Sequence, residues 1–458
     1  MSTYITIMHM TSKLAKLGLF DAMVPRYTSY PTAPQFNTGN VGGDVPSWVR
    51  SIAPNSTISL YLHVPFCRKL CWFCACRTQG AVTLSPVAEY LDAVHREIAL
   101  LGAHLPEGVT ISHMHWGGGT PTLLTAEMIS ALVGAIADIA PLAPNAEFSV
   151  EVDVKEIGPA RIDALAKAGM TRAAIGIQDF DPHIQSTIGR IQSFEITRDT
   201  TQMLRDAQIK FLDADLLFGL PHQDETHISA SVQKVLTLNP DRVALYGYSH
   251  VPWMARRQSM IPSDTLPTPE KRLKLFDAAR RLLEWDGLSQ IGIDHFAVPD
   301  DRLMQAAKTG RLKRNFQGYT DDAAPVLIGL GASAISRFPQ GYAQNAPATS
   351  DYIKAITAGG FAAQKGHVFS GEDLLRARII ESILCDFSVD IAKVTARFPG
   401  TGPRVAELLQ DVSARFGDLV NFGPDGLYIR PEARPLARII AKQFDAYDRS
   451  PAGHAAAL

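Results

Sequence analysis

Two hydrophobic periods alternate along the middle of the chain. Short runs that are apolar at every second position, or apolar throughout, recur at ISLYLHV (58–64), ISHMHW (111–116), AEFSVEV (146–152), RAAIGIQ (172–178), KFLDADLLF (210–218) and RVALYGY (242–248). These read as strands. Between them, apolar residues three and four positions apart predict helices at 85–105, 125–140, 157–169, 195–208 and 226–238. Strand followed by helix, repeated, predicts a parallel α/β architecture, either a barrel or a doubly wound sheet. In both, ligands gather beyond the C-terminal ends of the strands. The residues with the most chemistry fall there. A cysteine cluster follows the first strand, GGGTPT follows the second, Glu151 ends the third and Gln178 ends the fourth.

The flanks differ from this middle. Residues 1–57 read as an irregular N-terminal arm, with PRYTSYPTAPQF at 25–36, and 58–290 as the strand–helix unit. From 291 to 458 the expectation is a separate, mostly helical domain. It has helices at 374–387 and 403–416, a hairpin at 419–430 turning at Gly423, Pro424, Asp425 and Gly426, and a last helix at 433–447. Helices around a small hairpin suggest a winged-helix module. Its hairpin carries few basic residues and the net charge is −2, so nucleic-acid binding is not expected. The terminal SPAGHAAAL reads as a frayed tail.

Composition adds little until the cysteines. Charged residues are 20% and apolar residues 46%, ordinary for a folded domain protein. No apolar run approaches the ~18 residues of a membrane span, and the N-terminus lacks a signal-peptide pattern. The expected location is the cytoplasm. Of five cysteines, four lie between 67 and 76, which argues for a metal site in a reducing compartment over a disulfide scaffold.

The spacing in FCRKLCWFCAC is Cys-x3-Cys-x2-Cys-x-Cys, from Cys67 through Cys71 and Cys74 to Cys76. Three thiolates on one loop can ligate three irons of a 4Fe-4S cluster and leave the fourth open to a small molecule. A structural zinc site usually takes two separated pairs of ligands, and no second pair exists here. The same four residues could also hold a closed four-cysteine cluster that only carries electrons, or could be inert buried thiols. Cys385, alone in an amphipathic helix, reads as core.

These residues resemble the radical S-adenosylmethionine superfamily. With Cys76 and the arm's PRYTSYPT, the chain is similar in particular to the oxygen-independent coproporphyrinogen III oxidase family. The likeness runs through YLHVPFCRKLCWFC, HWGGGTPT, EVD, GIQDF, ADLLFGLP, IDHFA, RNFQGYT and GASAIS. It implies a partial (β/α)6 barrel with an N-terminal arm and a mostly α-helical C-terminal domain. It implies a 4Fe-4S cluster on Cys67, Cys71 and Cys74, and two molecules of S-adenosylmethionine, cleaved to a 5′-deoxyadenosyl radical. The implied reaction converts two propionates of coproporphyrinogen III to vinyl groups, giving protoporphyrinogen IX in haem biosynthesis.

By the same resemblance, Tyr61, Phe73, Gly118, Gly119, Thr120, Glu151, Gln178, Arg190, Asp215, Ser249 and Ile335 match cofactor-contacting positions, and Cys76 and Tyr61 are candidate catalytic residues. For Arg190 a structural salt bridge is the competing reading. Arg26, Tyr27, His295 and Arg314 are candidates to meet propionates, and His63 reads as a satisfied core histidine. The family commonly has proline after EVD, where this chain has Val154. A flavodoxin or ferredoxin as electron donor, an electron acceptor and a monomeric state are further expectations. Haem chaperones and radical methyltransferases of haem breakdown share the barrel. The chaperones typically lack the fourth cysteine and the arm, both present here.

Overall fold

The computed structural model describes residues 12–39, 41–447 and 455–457. The six expected strands form at β1 (Thr57–Val64), β2 (Thr110–Gly118), β3 (Leu142–Val152), β4 (Arg172–Gln178), β5 (Phe211–Phe218) and β6 (Arg242–Gly247). Each pairs in parallel with the next. The connecting helices are α1 (Ser85–Gly102), α2 (Ala126–Ile139), α3 (Pro159–Lys167), α4 (Phe194–Asp206) and α5 (Glu225–Leu236). Their starts follow capping chemistry. The Thr125 and Ser193 side chains accept the first free N–H groups of α2 and α4, and Asp224 with His227 makes a capping box for α5.

The sheet is larger than the six strands. After β6 come the helix α6 (Pro269–Trp285) and two short antiparallel strands, β7 (Ser289–Ile291) and β8 (His295–Ala297), which finish one edge. On the other side β9 (Leu327–Leu330) pairs in parallel with β1. Then β10 (Ile335–Phe338), β11 (Gly341–Asn345) and β12 (Ala363–Val368) add antiparallel to it. The order is β7-β8-β6-β5-β4-β3-β2-β1-β9-β10-β11-β12, an open barrel of twelve strands. Residues 327–368 therefore continue the main sheet past residue 290, because β9 satisfies the otherwise unpaired edge of β1.

The rest of the C-terminal part has its own core. It holds α7 (Asp373–Asp386), α8 (Gly402–Phe416), α9 (Ala437–Lys442) and a three-stranded sheet of β13 (Ser388–Asp390), β14 (Val420–Gly423) and β15 (Gly426–Ile429). The expected last helix is split. Pro435, which cannot donate to a helical ladder, sits in a 3-10 stretch over Pro431–Leu436 before α9 begins. The arm is not irregular throughout either. A helix covers Val41–Arg50, and Gly42, Gly43 and Pro46 disguise it in the sequence. Leu14, Leu19, Val24, Tyr27 and Tyr30 of the arm are buried in the C-terminal core. Most of the tail 450–458 lies outside the described residues. Ala455 and Ala456 pair with Val24 and Met23.

The barrel's lower end, where the parallel strands begin, is closed by ions. Arg172 opens β4 and Arg242 opens β6. Arg172 pairs with Glu147 (3.2 Å), Asp213 and Asp301 (3.1 Å), and Arg242 with Asp301 (2.8 Å). Beside them His113 of β2 faces Asp321 and Asp322, each 3.2 Å away. Burial works against its charge, but the two carboxylates outweigh it and lift its pKa to about 9. A histidine raised in this way stabilises the fold fully below about pH 6.5 and loses that contribution as pH rises through about 9. We expect the stability advantage of the natural chain over His113→Gln, read from urea unfolding, to shrink by about 3 kcal/mol between pH 6 and pH 9.5. An advantage independent of pH would show that His113 is neutral in the folded state.

Candidate active site

At the opposite end, the loop 65–80 leaves β1 at Val64 and is fixed to the frame chiefly through backbone groups. Gly119 N–H donates to Val64 O (2.8 Å) and Trp72 N–H to Ile188 O (2.9 Å). Buried Gln258 donates from Nε2 to the carbonyls of Phe73 (2.7 Å) and Ser249 (3.0 Å), and its Oε1 accepts Val251 N–H (2.6 Å). Arg257 donates to the carbonyls of Cys76 (3.3 Å) and Thr78 (3.2 Å). On this loop Cys67, Cys71 and Cys74 are half-buried, and Cys76 is exposed. Among the described residues, no three His, Cys, Asp or Glu side chains converge closely enough to share one ion. Cluster ligation does not ask for that, since each thiolate binds a different iron.

The thiols differ in environment. Burial pushes the Cys67 thiol up, against a hydrogen bond from Thr120. Cys76 donates its backbone N–H to Cys74 Sγ (3.4 Å), and hydrogen bonding from Cys76 holds the Cys74 thiol below its ordinary value. Arg190 aims Nη1 at Cys71 Sγ (3.7 Å) and donates Nη2 to Gly176 O (2.6 Å) and Gln192 Oε1 (3.0 Å). Among the described residues it makes no carboxylate pair, so the salt-bridge reading fails. Its Nε is buried and has no hydrogen-bond partner among the described residues. A guanidinium in this place suits an anionic cluster.

The GGGT turn packs where side chains cannot. A Cβ on Gly117 would lie 2.8 Å from Glu151 Oε1, and one on Gly119 2.6 Å from Phe66 O. Gly118 has φ +114°, and its Cβ would meet the His63 ring at 2.5 Å. Glu151 accepts Gly118 N–H (3.0 Å) and faces His115 Nε2 (3.6 Å). Burial raises its pKa, yet these partners hold the carboxyl below its ordinary value, so it stays ionised. Tyr61 stacks on His115 (5.8 Å), and its hydroxyl shares a hydrogen bond with His63 Nδ1 (2.9 Å). His63 is buried, and its Nε2 reaches Arg77 O (3.4 Å), as a satisfied core histidine would.

A cavity of about 540 Å³ brings together Phe73, Cys74, Cys76, Gln178, Asp215 and Ser249, with residues 24–29 of the arm on its far side. Gln178 holds φ 72°, strained for a residue with a side chain. Burial, with Glu151 and Asp213 nearby, pushes Asp215 up to about 8. Ser249 Oγ accepts from Arg26 Nη2 of the arm (2.8 Å). Tyr61, Gly118, Gly119, Thr120 and Glu151 gather around the glycine turn. Ile335 opens β10 beside Gly329 and forms no part of the cavity wall. Tyr27 donates its hydroxyl to Asp445 (3.0 Å), and His295 shares a hydrogen bond with Asp294 (2.7 Å). Val154, in place of the expected proline, is buried core, as is Cys385.

Comparison with known proteins agrees with this geometry. The radical SAM superfamily matches residues 61–235. The chain is 56% identical over 452 residues to the oxygen-independent coproporphyrinogen III oxidase of Paracoccus denitrificans, covering 98% of this chain and 100% of that one. The chain belongs to the oxygen-independent coproporphyrinogen III oxidases. The Escherichia coli protein of that name is 34% identical, over 96% of each chain. A solved structure of coproporphyrinogen III oxidase from Escherichia coli, described as a radical SAM enzyme, superposes with a TM-score of 0.87 at 33% identity. It covers 92% of this chain and 97% of that one. The glycine cradle, the ionised Glu151 and the cation at Cys71 fit the cluster and S-adenosylmethionine that membership of this oxidase family implies.

Sequence reasoning missed Gln258, Arg257 and His115. Gln258 and Arg257 reach the loop across some 180 residues, and no local pattern marks them. His115 could have been found by its alternation with Tyr61 and His63 on neighbouring strands.

Two outcomes are expected. Cys71→Ser should lose iron and the visible thiolate-to-iron absorbance after anaerobic reconstitution, while Cys76→Ser keeps both. Full iron in Cys71→Ser would overturn the ligand assignment. A half-buried acid with a raised pKa costs stability as pH climbs from about 4 to about 8. Cluster-free Asp215→Asn should therefore be more stable than the natural chain by about 5 kcal/mol at pH 8.5 and nearly equal to it at pH 4. Equal unfolding midpoints at both pH values would refute the burial cost.

Proposed function

We propose that this chain carries out the oxygen-independent oxidative decarboxylation of two propionates of coproporphyrinogen III to vinyl groups, giving protoporphyrinogen IX. The observation that carries the reading is 56% identity along the whole chain to an oxidase of that name, together with a cysteine loop that brings Cys74 and Cys76 to a cavity walled by the arm. Cys67, Cys71 and Cys74 would hold the 4Fe-4S cluster. When bound and reduced, the cluster and S-adenosylmethionine supply an organic radical able to take hydrogen from carbon.

The chain's own residues bind and orient. Glu151, ionised, accepts from an amino group, and Gly118 and Gly119, whose N–H groups go to Glu151 and Val64 O, hold that carboxylate and the cysteine loop together beside the amino-acid part of the cofactor. Asp215, protonated near neutral pH, can donate a hydrogen bond where an ionised carboxylate could only accept one. Arg190 balances charge beside Cys71. Phe73 and Ser249 present carbonyls already fixed by Gln258. Gln178 joins Asp215 in the cavity wall. Thr120 tunes Cys67, and Cys76 with Tyr61 flanks the reacting space. A second S-adenosylmethionine is part of this reading, as are a low-potential flavodoxin or ferredoxin as donor and a monomeric chain. No helix among the described residues is long and apolar enough to cross a membrane.

The electron count sets the test. Removing one hydrogen atom from the propionate β-carbon and then carbon dioxide yields a vinyl group and one surplus electron, which an acceptor takes. Each vinyl therefore consumes one S-adenosylmethionine to 5′-deoxyadenosine and methionine. Anaerobic turnover of β-deuterated coproporphyrinogen III should place deuterium in 5′-deoxyadenosine and pass through a monovinyl intermediate. Unlabelled 5′-deoxyadenosine with normal vinyl formation would exclude this abstraction, and a need for oxygen would exclude the function.

A further inference from the structure

A second cavity, of about 520 Å³, lies between the ends of β5 and β6, the helix α6 and the C-terminal core. It shares Arg26, Tyr246, Gly247 and Ser249 with the cysteine-lined cavity, so the two adjoin. Its wall includes Arg314, whose side chain is 5% exposed. The guanidinium lies over the Tyr319 ring, 4.6 Å from its centre. Among the described residues, neither Nε nor Nη1, both buried, has a hydrogen-bond partner. The nearest carboxylate, Asp294, is 3.9 Å from Nη1 and is already engaged by His295.

Other cations crowd the same space. Arg438 spends its nitrogens on the carbonyls of Val24, Pro25 and Ala457. Burial and the charges of Arg26 and Arg314 push its pKa down to about 9. A buried cation that lacks hydrogen-bond partners is costly, and a ligand carboxylate in the adjoining cavity would supply the charge that offsets it. Arg280, on the same wall, is answered by Glu284 (2.8 Å) and Asp277 (3.4 Å) and is not available.

We propose that this cavity is a carboxylate subsite in which Arg314 binds one of the two propionates that never react while a reacting one sits in the cysteine-lined cavity, with Arg26 at the neck between them. The inference rests on coproporphyrinogen III being the substrate. It gives the protein a reason to prefer a ring carrying carboxylates on more than one side. Only the reacting side chain needs the radical. The remote ones supply the binding energy that orients it.

The test is equilibrium binding to the reconstituted holoenzyme of two oxidised, fluorescent analogues. Coproporphyrin III keeps four propionates. Mesoporphyrin IX keeps only the two that never react, with ethyl groups at the other positions. Arg314→Gln should weaken both by about ten- to hundredfold, with Arg314→Lys recovering part of the loss. Arg26→Gln, changed at an exposed arm position and so no threat to folding, should weaken both as well. It decides the question alone if Arg314→Gln does not keep its iron and melting temperature. Unchanged affinity in a folded Arg314→Gln, or in Arg26→Gln where that variant stands alone, overturns the subsite. So does weakening confined to coproporphyrin III, since the arginine would then read a reacting propionate. A natural enzyme that binds neither analogue overturns the substrate reading, and the subsite with it.

Discussion

A Cβ atom on Gly119 would stand 2.6 Å from the carbonyl oxygen of Phe66, and one on Gly118 2.5 Å from the ring of His63. The turn after β2 can lie against the cysteine loop only because it carries no side chains there. That approach lets Gly119 N–H reach Val64 O and Gly118 N–H reach Glu151. The first bond fixes where the loop leaves β1. The second brings the carboxylate of β3 to the same place. Cys67, held by Thr120 at the end of the turn, takes its position from this contact. An alanine at either glycine would push on backbone or a buried ring, not on the free end of a flexible side chain, so the displacement would pass directly to the cysteines.

The two ends of the barrel treat charge in opposite ways. At the lower end Arg172 and Arg242 meet Glu147, Asp213 and Asp301 at close range, and the ions answer one another. At the upper end Arg190 faces a thiol, Asp215 is driven toward its neutral form, and Gln178 holds a strained backbone. Groups left short of partners in a folded protein cost stability and are kept where a ligand completes them.

The six parallel strands were legible because each is long enough to show its pattern and is followed by a helix of the other period. The four strands from 327 to 368 were not. LIGL and ISRF are four residues each; β9 is buried throughout, and β10 alternates in burial but buries Ser336 and Phe338 while Ile335 and Arg337 are half-buried, so neither shows an apolar–polar alternation in sequence. The helix α6 does carry a local signal. Thr268 caps it, Pro269 begins it, and Leu275, Ala279 and Leu283 mark its buried stripe. The site divides in the same manner. Cysteines, glycines and Glu151 stand in local motifs and could be named from sequence. Gln258 and Arg257 act on the loop from a turn some 180 residues away, and only the fold brings them there.

The arm belongs to the site because of how it is tied down. Arg438 and Lys442 of α9 donate to the carbonyls of Met23, Val24 and Pro25, and Tyr27 donates to Asp445. Further on, Asn37 pairs with Gly366 of β12. The arm is thus anchored to the C-terminal core on one side and to the sheet on the other, and the stretch between them walls the cysteine-lined cavity. Between the anchors Phe36 stacks on Tyr342 of β11, 5.3 Å between ring centres. Arg26, exposed, makes one bond to Ser249 Oγ and one to Gly247 O. The cysteine loop's own ties run elsewhere, to β2, the 188–190 turn and Gln258. Positions such as PRYTSYPT therefore owe their residue types to the cavity and to the C-terminal core together, which is why the arm reads as irregular when taken alone.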